Sequence, residues 1–152
     1  MRSFVKSMYL GLAASLLITA AACSTVEPPV GKTTASLYDR LGQKPAITAV
    51  VDEFVGNVAN DNRINGRFAT TDIPRLKGHL VDQVCMATGG PCTYTGRDMV
   101  TMHKGMRITN ADFHAMVEDL IAALDTFKVP QAEQKELLDL LGSMKPDIVE
   151  LP

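Results

Sequence analysis

Three histidines are the residues of this 152-residue chain whose chemistry depends most on their surroundings. His103 lies within a short stripe that has the spacing of one helix side, formed by Met99, Met102 and Met106. An imidazole in that apolar setting needs a partner, so His103 is either a core histidine bonded to backbone or a metal ligand. The spacing alone leaves both roles open.

The other two histidines lie at the margins of apolar stripes. His79 follows Leu76 by three residues and adjoins Leu80, which makes it a boundary residue of a predicted helix. His114 lies about 100° around the helix from Phe113, so we expect it to be partly exposed and inert.

Several classes of function lack their residues. The chain contains no HExxH, CxxC, P-loop or GxSxG motif, which argues against zinc hydrolysis, nucleotide binding and serine hydrolysis. The net charge is −2 and no block of Lys or Arg occurs, so nothing indicates a nucleic-acid surface. Cys85 and Cys92 flank a Gly-Gly-Pro turn and are either joined in a disulfide or two buried thiols.

The elements that must position these residues are helices. Two long amphipathic helices are predicted from apolar residues at i, i+3, i+4, i+7, i+8 and i+11. The first series is Ile47, Val50, Val51, Phe54, Val55 and Val58; the second is Phe113, Met116, Val117, Leu120, Ile121 and Leu124. Between them, Asp72 caps a helix that has Pro74 in its first turn and ends before Gly89.

Further signals complete an all-α prediction. Thr109 and Asp112 have the spacing of a capping box, and Pro130 opens a last helix. That helix is expected to carry Leu137, Leu138, Leu141 and Met144. Residues 60–71 and 89–96 are loop-like, and each contains an aromatic residue, Phe68 or Tyr94, of the kind that often borders a ligand. No internal repeat and no strand alternation is evident.

The N-terminus has the pattern of a targeting segment. Arg2 and Lys6 precede the uncharged stretch 8–22, which is shorter than the ~20 residues of a membrane-spanning helix. The small residues before Cys23 resemble a bacterial lipobox, so we expect a signal peptide over 1–22, then a lipidated Cys23 and flexible tether over 23–35. Ala20 stands where a leucine is usual, which leaves simple secretion open. The resemblance implies the periplasmic face of a membrane, in the outer membrane because Ser24 is not the aspartate that retains lipoproteins in the inner membrane.

Over the remaining domain, 36–152, several motifs together resemble the group 1 truncated haemoglobins. They are the Gly89-Gly90 turn, Tyr94-Thr-Gly96 and the run from His103 through Gly105 to Ile108-Thr109. The resemblance extends over residues 36–149 and implies a two-over-two helical sandwich around haem b. It also implies binding of a diatomic gas, oxygen, nitric oxide or carbon monoxide, and an unidentified reductase as partner.

The resemblance assigns roles residue by residue. His103 matches the proximal histidine that binds the haem iron, and Phe68 matches the phenylalanine that packs on the haem face. The remaining matches line the two sides of the pocket: Met99, Met102, Ile108, Phe113 and Val117 on the proximal side, and Leu76 and Leu80 on the distal side. Lys77 and Arg97 are candidates for the haem propionates.

The chain departs from the family on the distal side. Many members have a tyrosine and a glutamine that donate hydrogen bonds to the bound oxygen, and Val55 and Leu80 stand at those positions here. Loss of these donors predicts weak or rapidly released oxygen. His79 matches a position where certain cyanobacterial members have a second iron ligand, so it is either a sixth ligand or a hydrogen-bond donor.

Three functions follow from these residues. The first is reversible binding of oxygen or nitric oxide for storage, transport or nitric oxide detoxification, with nitric oxide dioxygenation as a side activity. The second is a bis-histidine haem, held by His103 and His79, for electron transfer or redox sensing. The third is a helical envelope lipoprotein without haem, whose histidines are core residues.

Overall fold

The computed structural model describes residues 35–151, so the expected signal peptide and nearly all of the expected tether lie outside the described residues. Within this range the chain forms seven α-helices and a short 3₁₀ helix, Asn65–Phe68. The α-helices are α1 Leu37–Arg40, α2 Gln43–Asn60, α3 Ile73–Ala87, α4 Met99–His103, α5 Asn110–Thr126, α6 Gln131–Gly142 and α7 Lys145–Ile148. Across residues 35–151 the single strand-like pairing is an isolated bridge between Thr109 and Leu151, which confirms the all-α prediction. No helix in that part of the chain has the length and hydropathy to cross a membrane.

Helix α2 lies at the centre of the domain and packs against both α3 and α5. The predicted apolar side of α2 is buried at Ile47, Val51, Phe54, Val55 and Val58. Burying a side chain of this size contributes about 1.5–3 kcal/mol, so this helix supplies much of the hydrophobic stabilisation.

Local capping sets where α3 and α5 begin. The Asp72 carboxylate accepts a hydrogen bond from the Arg75 backbone N–H at 3.1 Å, and Pro74 occupies the first turn of α3. At α5 the predicted capping box is present: Asp112 N–H donates to the Thr109 hydroxyl at 3.1 Å, and Thr109 N–H donates to the Asp112 carboxylate at 2.8 Å. These caps satisfy amides that a helix start otherwise leaves unpaired.

The buried side chains form two clusters. The larger joins α2, the residues around Ile64, α3 and α5, and the smaller joins α1, α5 and α6 through Leu37, Leu124 and Leu137. Partly buried Val84 and Leu120 pack against both clusters, so the two are continuous around α3 and α5.

Two predicted helical stripes are shorter than expected. Helix α4 ends at His103, and Met106 lies in the following turn with 43% of its surface exposed, so it does not share an apolar helix side with Met99 and Met102. The reason is local, because Gly105 adopts φ +82°, which a continuing helix cannot accommodate. Similarly, Met144 follows the end of α6 and precedes α7, which has Pro146 in its first turn.

Candidate functional site

The His103 imidazole is half-buried and bonded to backbone through one ring nitrogen. Its Nδ1 lies 2.8 Å from the Met99 carbonyl oxygen, one turn earlier in α4. A carbonyl oxygen can only accept, so Nδ1 must carry the proton of this hydrogen bond. In the neutral imidazole the lone pair then lies on Nε2, which is the arrangement that a metal-binding histidine requires.

Helix α4 exists because its first turn is capped. The Asp98 carboxylate accepts from the Thr101 backbone N–H at 2.8 Å, and the Asp98 carbonyl accepts from Met102 N–H at 2.9 Å. The Thr101 backbone N–H, followed by its side chain, lowers the pKa of Asp98 below its ordinary value. The cap therefore stays ionised at neutral pH and holds the single turn that places Met99 under His103.

The predicted proximal residues line α4 and the start of α5. The Met99 sulfur accepts from the Gln83 side-chain amide at 3.6 Å, which links α3 to α4, and the Met102 sulfur accepts from Arg97 at 3.5 Å. Phe113 is half-buried on α5, with the Lys145 ammonium 5.5 Å from its ring centre. Val117 is also half-buried, whereas Ile108 is buried.

On the predicted distal side, α2 and α3 present Val55 and Leu80, neither of which can donate a hydrogen bond. Val55 is buried in the main core, and Leu80 is half-buried against it. His79 is half-buried; its Nε2 accepts a long, 3.4 Å hydrogen bond from Arg75 Nε, and its ring meets the Tyr94 ring edge-on at 6.0 Å. Side chains, rather than backbone, therefore hold His79.

Lys77 and Arg97, the two candidates for the haem propionates, have protein partners in the structure. Lys77 Nζ forms an ion pair with Asp52 of α2 at 2.9 Å, and Arg97 contacts the Met102 sulfur. Their predicted role with a carboxylate-bearing cofactor stays a prediction.

A property shared by the predicted pocket residues is partial exposure. Except for Ile108 and Val55, every apolar residue assigned to the pocket is half-buried, whereas other core residues on the same helices are almost fully enclosed. The half-buried set is Phe68, Leu76, Leu80, Met99, Met102, Phe113 and Val117. Partly open apolar side chains on both α3 and α4–α5 suit a large apolar cofactor, and the free Nε2 of His103 suits its metal.

Haem is compatible with this donor set. Haem iron needs one protein ligand, and His103 offers neutral imidazole nitrogen with its second nitrogen already fixed by Met99. Among residues 35–151 there is no cluster of three or more His, Cys, Asp or Glu residues of the kind that binds a bare metal ion.

Cys85 and Cys92 form a disulfide, which resolves the alternative that their spacing left open. Cys85 is fully buried in α3, and the bridge closes the Gly89-Gly90-Pro91 turn that leads to Tyr94. Tyr94 donates a hydrogen bond from its hydroxyl to the Arg97 carbonyl at 2.9 Å. A Cβ at Gly96 would lie 2.2 Å from the Tyr94 hydroxyl oxygen, so only glycine allows the ring this position.

Two residues near His103 were missed by sequence reasoning. Arg67 and Glu150 both contact the turn that follows α4, from 39 residues before it and 45 residues after it. The backbone N–H groups of Gly105 and then Arg107 lower the pKa of Glu150 below its ordinary value. No spacing rule could identify either residue, because both contacts depend on tertiary packing.

Comparison with known proteins identifies the family. The profile of the bacterial-like globins matches residues 36–150. A group 1 truncated haemoglobin, GlbN of Mycolicibacterium paratuberculosis, is 37% identical over 114 residues, covering 75% of this chain and 84% of that protein. The corresponding protein of Tetrahymena pyriformis is 32% identical over 114 residues, covering 75% of this chain and 94% of that one.

Solved structures agree with the sequence comparisons. The Fe(III) form of the truncated haemoglobin from Tetrahymena pyriformis superposes with a TM-score of 0.73 at 31% identity, covering 76% of this chain and 98% of that one. The 2/2 haemoglobin from Synechococcus sp. PCC 7002, solved in the cyanomet state with covalently attached haem, gives 0.71 at 32% identity with the same coverage. The two-over-two helical fold is thereby confirmed, and the chain belongs to the bacterial-like globins as a group 1 truncated haemoglobin.

Proposed function

We propose that this chain binds haem b through Nε2 of His103 and uses it to bind a diatomic gas reversibly. The observation that carries the proposal is the 2.8 Å contact between His103 Nδ1 and the Met99 carbonyl, which leaves Nε2 as the free lone pair. The half-buried apolar residues on both sides would contact the porphyrin. The bound haem supplies the iron coordination position for oxygen, nitric oxide or carbon monoxide.

A haem titration of the full chain tests this proposal. We expect the wild-type chain to develop a Soret band at one haem per chain, and His103→Ala to lose tight binding. His114→Ala is the matched control, because His114 is an exposed histidine on α5 and should leave the titration unchanged. Exogenous imidazole should restore the spectrum of His103→Gly. Wild-type-like haem uptake by His103→Ala, or no uptake by the wild-type chain, would contradict the proposal.

The distal residues favour rapid release of oxygen over its chemical conversion. Val55 and Leu80 exclude water without donating a hydrogen bond to a polar ligand, which then lacks the ~0.5–1.5 kcal/mol that each such bond contributes. Nitric oxide dioxygenation depends on retained oxygen, so this pocket supports it only as a side activity dependent on an unidentified reductase. The function best supported is therefore gas binding for storage, transport or nitric oxide detoxification.

A bis-histidine haem is the alternative function. The weak contact that holds His79 supports it. Within residues 35–151, His79 Nε2 is engaged only by the 3.4 Å contact from Arg75, which is at the long end for a hydrogen bond and is readily exchanged for a metal bond. Ferric absorption spectra separate the two functions. A low-spin wild-type spectrum that becomes high-spin in His79→Ala indicates bis-histidine ligation and a redox role; a high-spin spectrum in both proteins indicates an open gas site.

We further propose that the protein is held at the periplasmic face of a membrane, in the outer membrane, by lipid on Cys23. The support is the basic start at Arg2 and Lys6, the apolar stretch 8–22 and the small residues before Cys23. Metabolic labelling with a fatty-acid analogue in a bacterial host should label the wild-type chain and not Cys23→Ser. Recovery of unlabelled wild-type protein in the soluble periplasmic fraction would contradict the anchor.

A further inference from the structure

The turn between α4 and α5 has an unusual backbone. Residues 104–107 connect His103, the last residue of α4, to the start of α5. Gly105 adopts φ +82° and Arg107 adopts φ +54°, and Met106 N–H donates to the His103 carbonyl at 3.0 Å. A left-handed conformation costs a non-glycine residue on the order of 1–2 kcal/mol, so surrounding contacts must stabilise Arg107 in this state.

Glu150 supplies those contacts from the C-terminal segment. One carboxylate oxygen accepts from Gly105 N–H at 2.6 Å, and the other accepts from Arg107 N–H at 2.5 Å. The two amides on either side of Met106 thus share one side chain. Hydrogen bonds from N–H to a carboxylate are among the stronger ones in proteins because the acceptor is charged.

Glu150 is itself held by backbone pairing. Its N–H and that of Leu151 each donate to the Ile108 carbonyl at 3.0 Å, and Asn110 N–H donates to the Leu151 carbonyl at 3.2 Å. These bonds join the C-terminal segment to the start of α5 and aim the carboxylate at the turn. Glu150 is therefore anchored beside residues 108–110, which directly follow the turn that it contacts.

Arg67 bonds to a carbonyl oxygen of the same turn, whereas Glu150 bonds to its amides. Its guanidinium donates to the Met106 carbonyl at 2.9 Å and to the Asp112 carboxylate at 2.7 Å. Two amides of the turn therefore donate to Glu150, and one carbonyl of the turn accepts from Arg67. Arg67 is in turn paired with Asp112 of α5. This arrangement fixes the main chain directly after His103.

We propose that Glu150 is a positioning residue for His103, which sets the direction of the Nε2 lone pair through the turn at 104–107. The inference rests on the proposed binding of haem through His103 and deepens it. His103 has its own side-chain bond to Met99 on the N-terminal side, and Glu150 fixes the main chain on the C-terminal side. Without Glu150, the end of α4 can rotate and the imidazole loses its fixed angle to a bound metal.

The test uses the full chain with Glu150→Ala, Glu150→Gln and Asp147→Asn. The glutamine variant would keep one acceptor oxygen and place an NH₂ group against the second amide, so it loses one of the two bonds and guards against a misfolded alanine variant. Asp147 is an exposed acid in α7, three residues before Glu150, with no side-chain hydrogen bond within residues 35–151, which makes it the matched control for charge. Circular dichroism confirms that each variant is folded.

Two kinds of measurement test the proposal, one on the haem-free proteins and one on the haem-loaded proteins. Hydrogen exchange in the haem-free proteins should accelerate at Gly105 and Arg107 in Glu150→Ala, which tests the contact itself. In the haem-loaded proteins we expect haem to transfer to a scavenger about 10-fold faster in Glu150→Ala, with Glu150→Gln in between and Asp147→Asn like wild type. The ferrous iron–histidine stretching frequency, which a merely structural role would not move, should shift in the same order.

The outcomes separate this inference from the proposed function. If exchange accelerates but haem transfer and the stretching frequency match wild type, Glu150 supports the turn without positioning His103, and the inference is overturned while haem binding stands. If Glu150→Ala leaves exchange unchanged, the contact is absent and the inference is likewise overturned. A wild-type chain that takes up no haem overturns the proposed function and this inference together.

Discussion

His103 and His79 are both half-buried histidines next to apolar helix sides, yet they are held by different kinds of partner. His103 is fixed through the main chain: the Met99 carbonyl orients its ring, and the Glu150 and Arg67 side chains bond to the backbone of the turn that follows it. Side chains hold His79, through the long contact from Arg75 and the edge of Tyr94. On the proposed proximal side the imidazole angle is therefore fixed by bonds to the main chain, whereas on the proposed distal side the imidazole can move without breaking a backbone bond.

Removing the disulfide is the strongest expected perturbation of the distal side. Reducing Cys85–Cys92 opens a short loop of sequence separation 7, and loop-closure entropy predicts a loss of about 2–3 kcal/mol in the free energy of unfolding. Urea unfolding of oxidised and reduced wild-type protein measures this without altering the packing of buried Cys85. Because the bridge leads to Tyr94, the His79 resonances should shift on reduction and those of His103 should not. Equal shifts at both histidines would mean that the bridge does not act on His79 alone.

On the proximal side, Asp112 is the residue whose charge supports both α5 and Arg67. Asp112→Asn keeps an acceptor oxygen but loses the charge, so we expect about 1 kcal/mol of destabilisation at pH 7, as for the loss of a helix cap. The Thr109 backbone N–H, the Thr109 side chain and Arg67 lower the pKa of Asp112 from its ordinary 3.8. Its stabilisation is therefore fully present above pH 3.8 and is lost as pH falls through the lower pKa of the folded state.

Thermal unfolding of wild type and Asp112→Asn between pH 7 and pH 2 checks the sign of this effect. The difference between the two proteins should stay constant down to about pH 4 and close below it. A difference that grows on acidification would mean that Asp112 does not act through its carboxylate.

The smallest expected effect concerns the two lysines that join α2 to α3. Lys77 pairs with Asp52 and Lys44 pairs with Asp82, in both cases across the same helix interface and partly exposed. Each pair should contribute no more than ~1 kcal/mol, so Lys77→Ala and Lys44→Ala should unfold at similar urea concentrations. Faster haem loss in Lys77→Ala alone would assign Lys77 to the haem carboxylates. Equal rates of haem loss in Lys77→Ala and Lys44→Ala would mean that Lys77 forms only a surface ion pair with Asp52.

The sequence predicts the helices well because their signals are local. The apolar series at Ile47–Val58 and Phe113–Leu124, the Asp72 cap and the Thr109–Asp112 box all correspond to elements of the structure. The family resemblance then predicts the two-over-two fold, which periodicity alone does not specify. The methionine spacing predicts that Met106 shares a helix side with Met99 and Met102, which is wrong because Gly105 turns the chain after His103.

The supports of the site are less accessible to sequence reasoning. Glu150 and Arg67 are ordinary charged residues far from His103 in the chain, and only the packing of the C-terminal segment on α5 brings them to the turn. The Met99 contact was expected only as some backbone partner for His103. Chemistry can therefore be assigned from residue type and motif, whereas the geometry that orients it arises from tertiary contacts.

The rate at which the ferrous protein releases oxygen is the most direct test of the proposed gas site, in which His103 binds the iron and Val55 and Leu80 donate no hydrogen bond to the bound oxygen. Stopped-flow dissociation should be rapid for the wild-type chain and slower by on the order of 10–100-fold in the double variant Val55→Tyr with Leu80→Gln, which adds up to two hydrogen-bond donors. Slow release by the wild-type chain, unchanged in the double variant, would contradict the account, because another group would then be donating to the ligand.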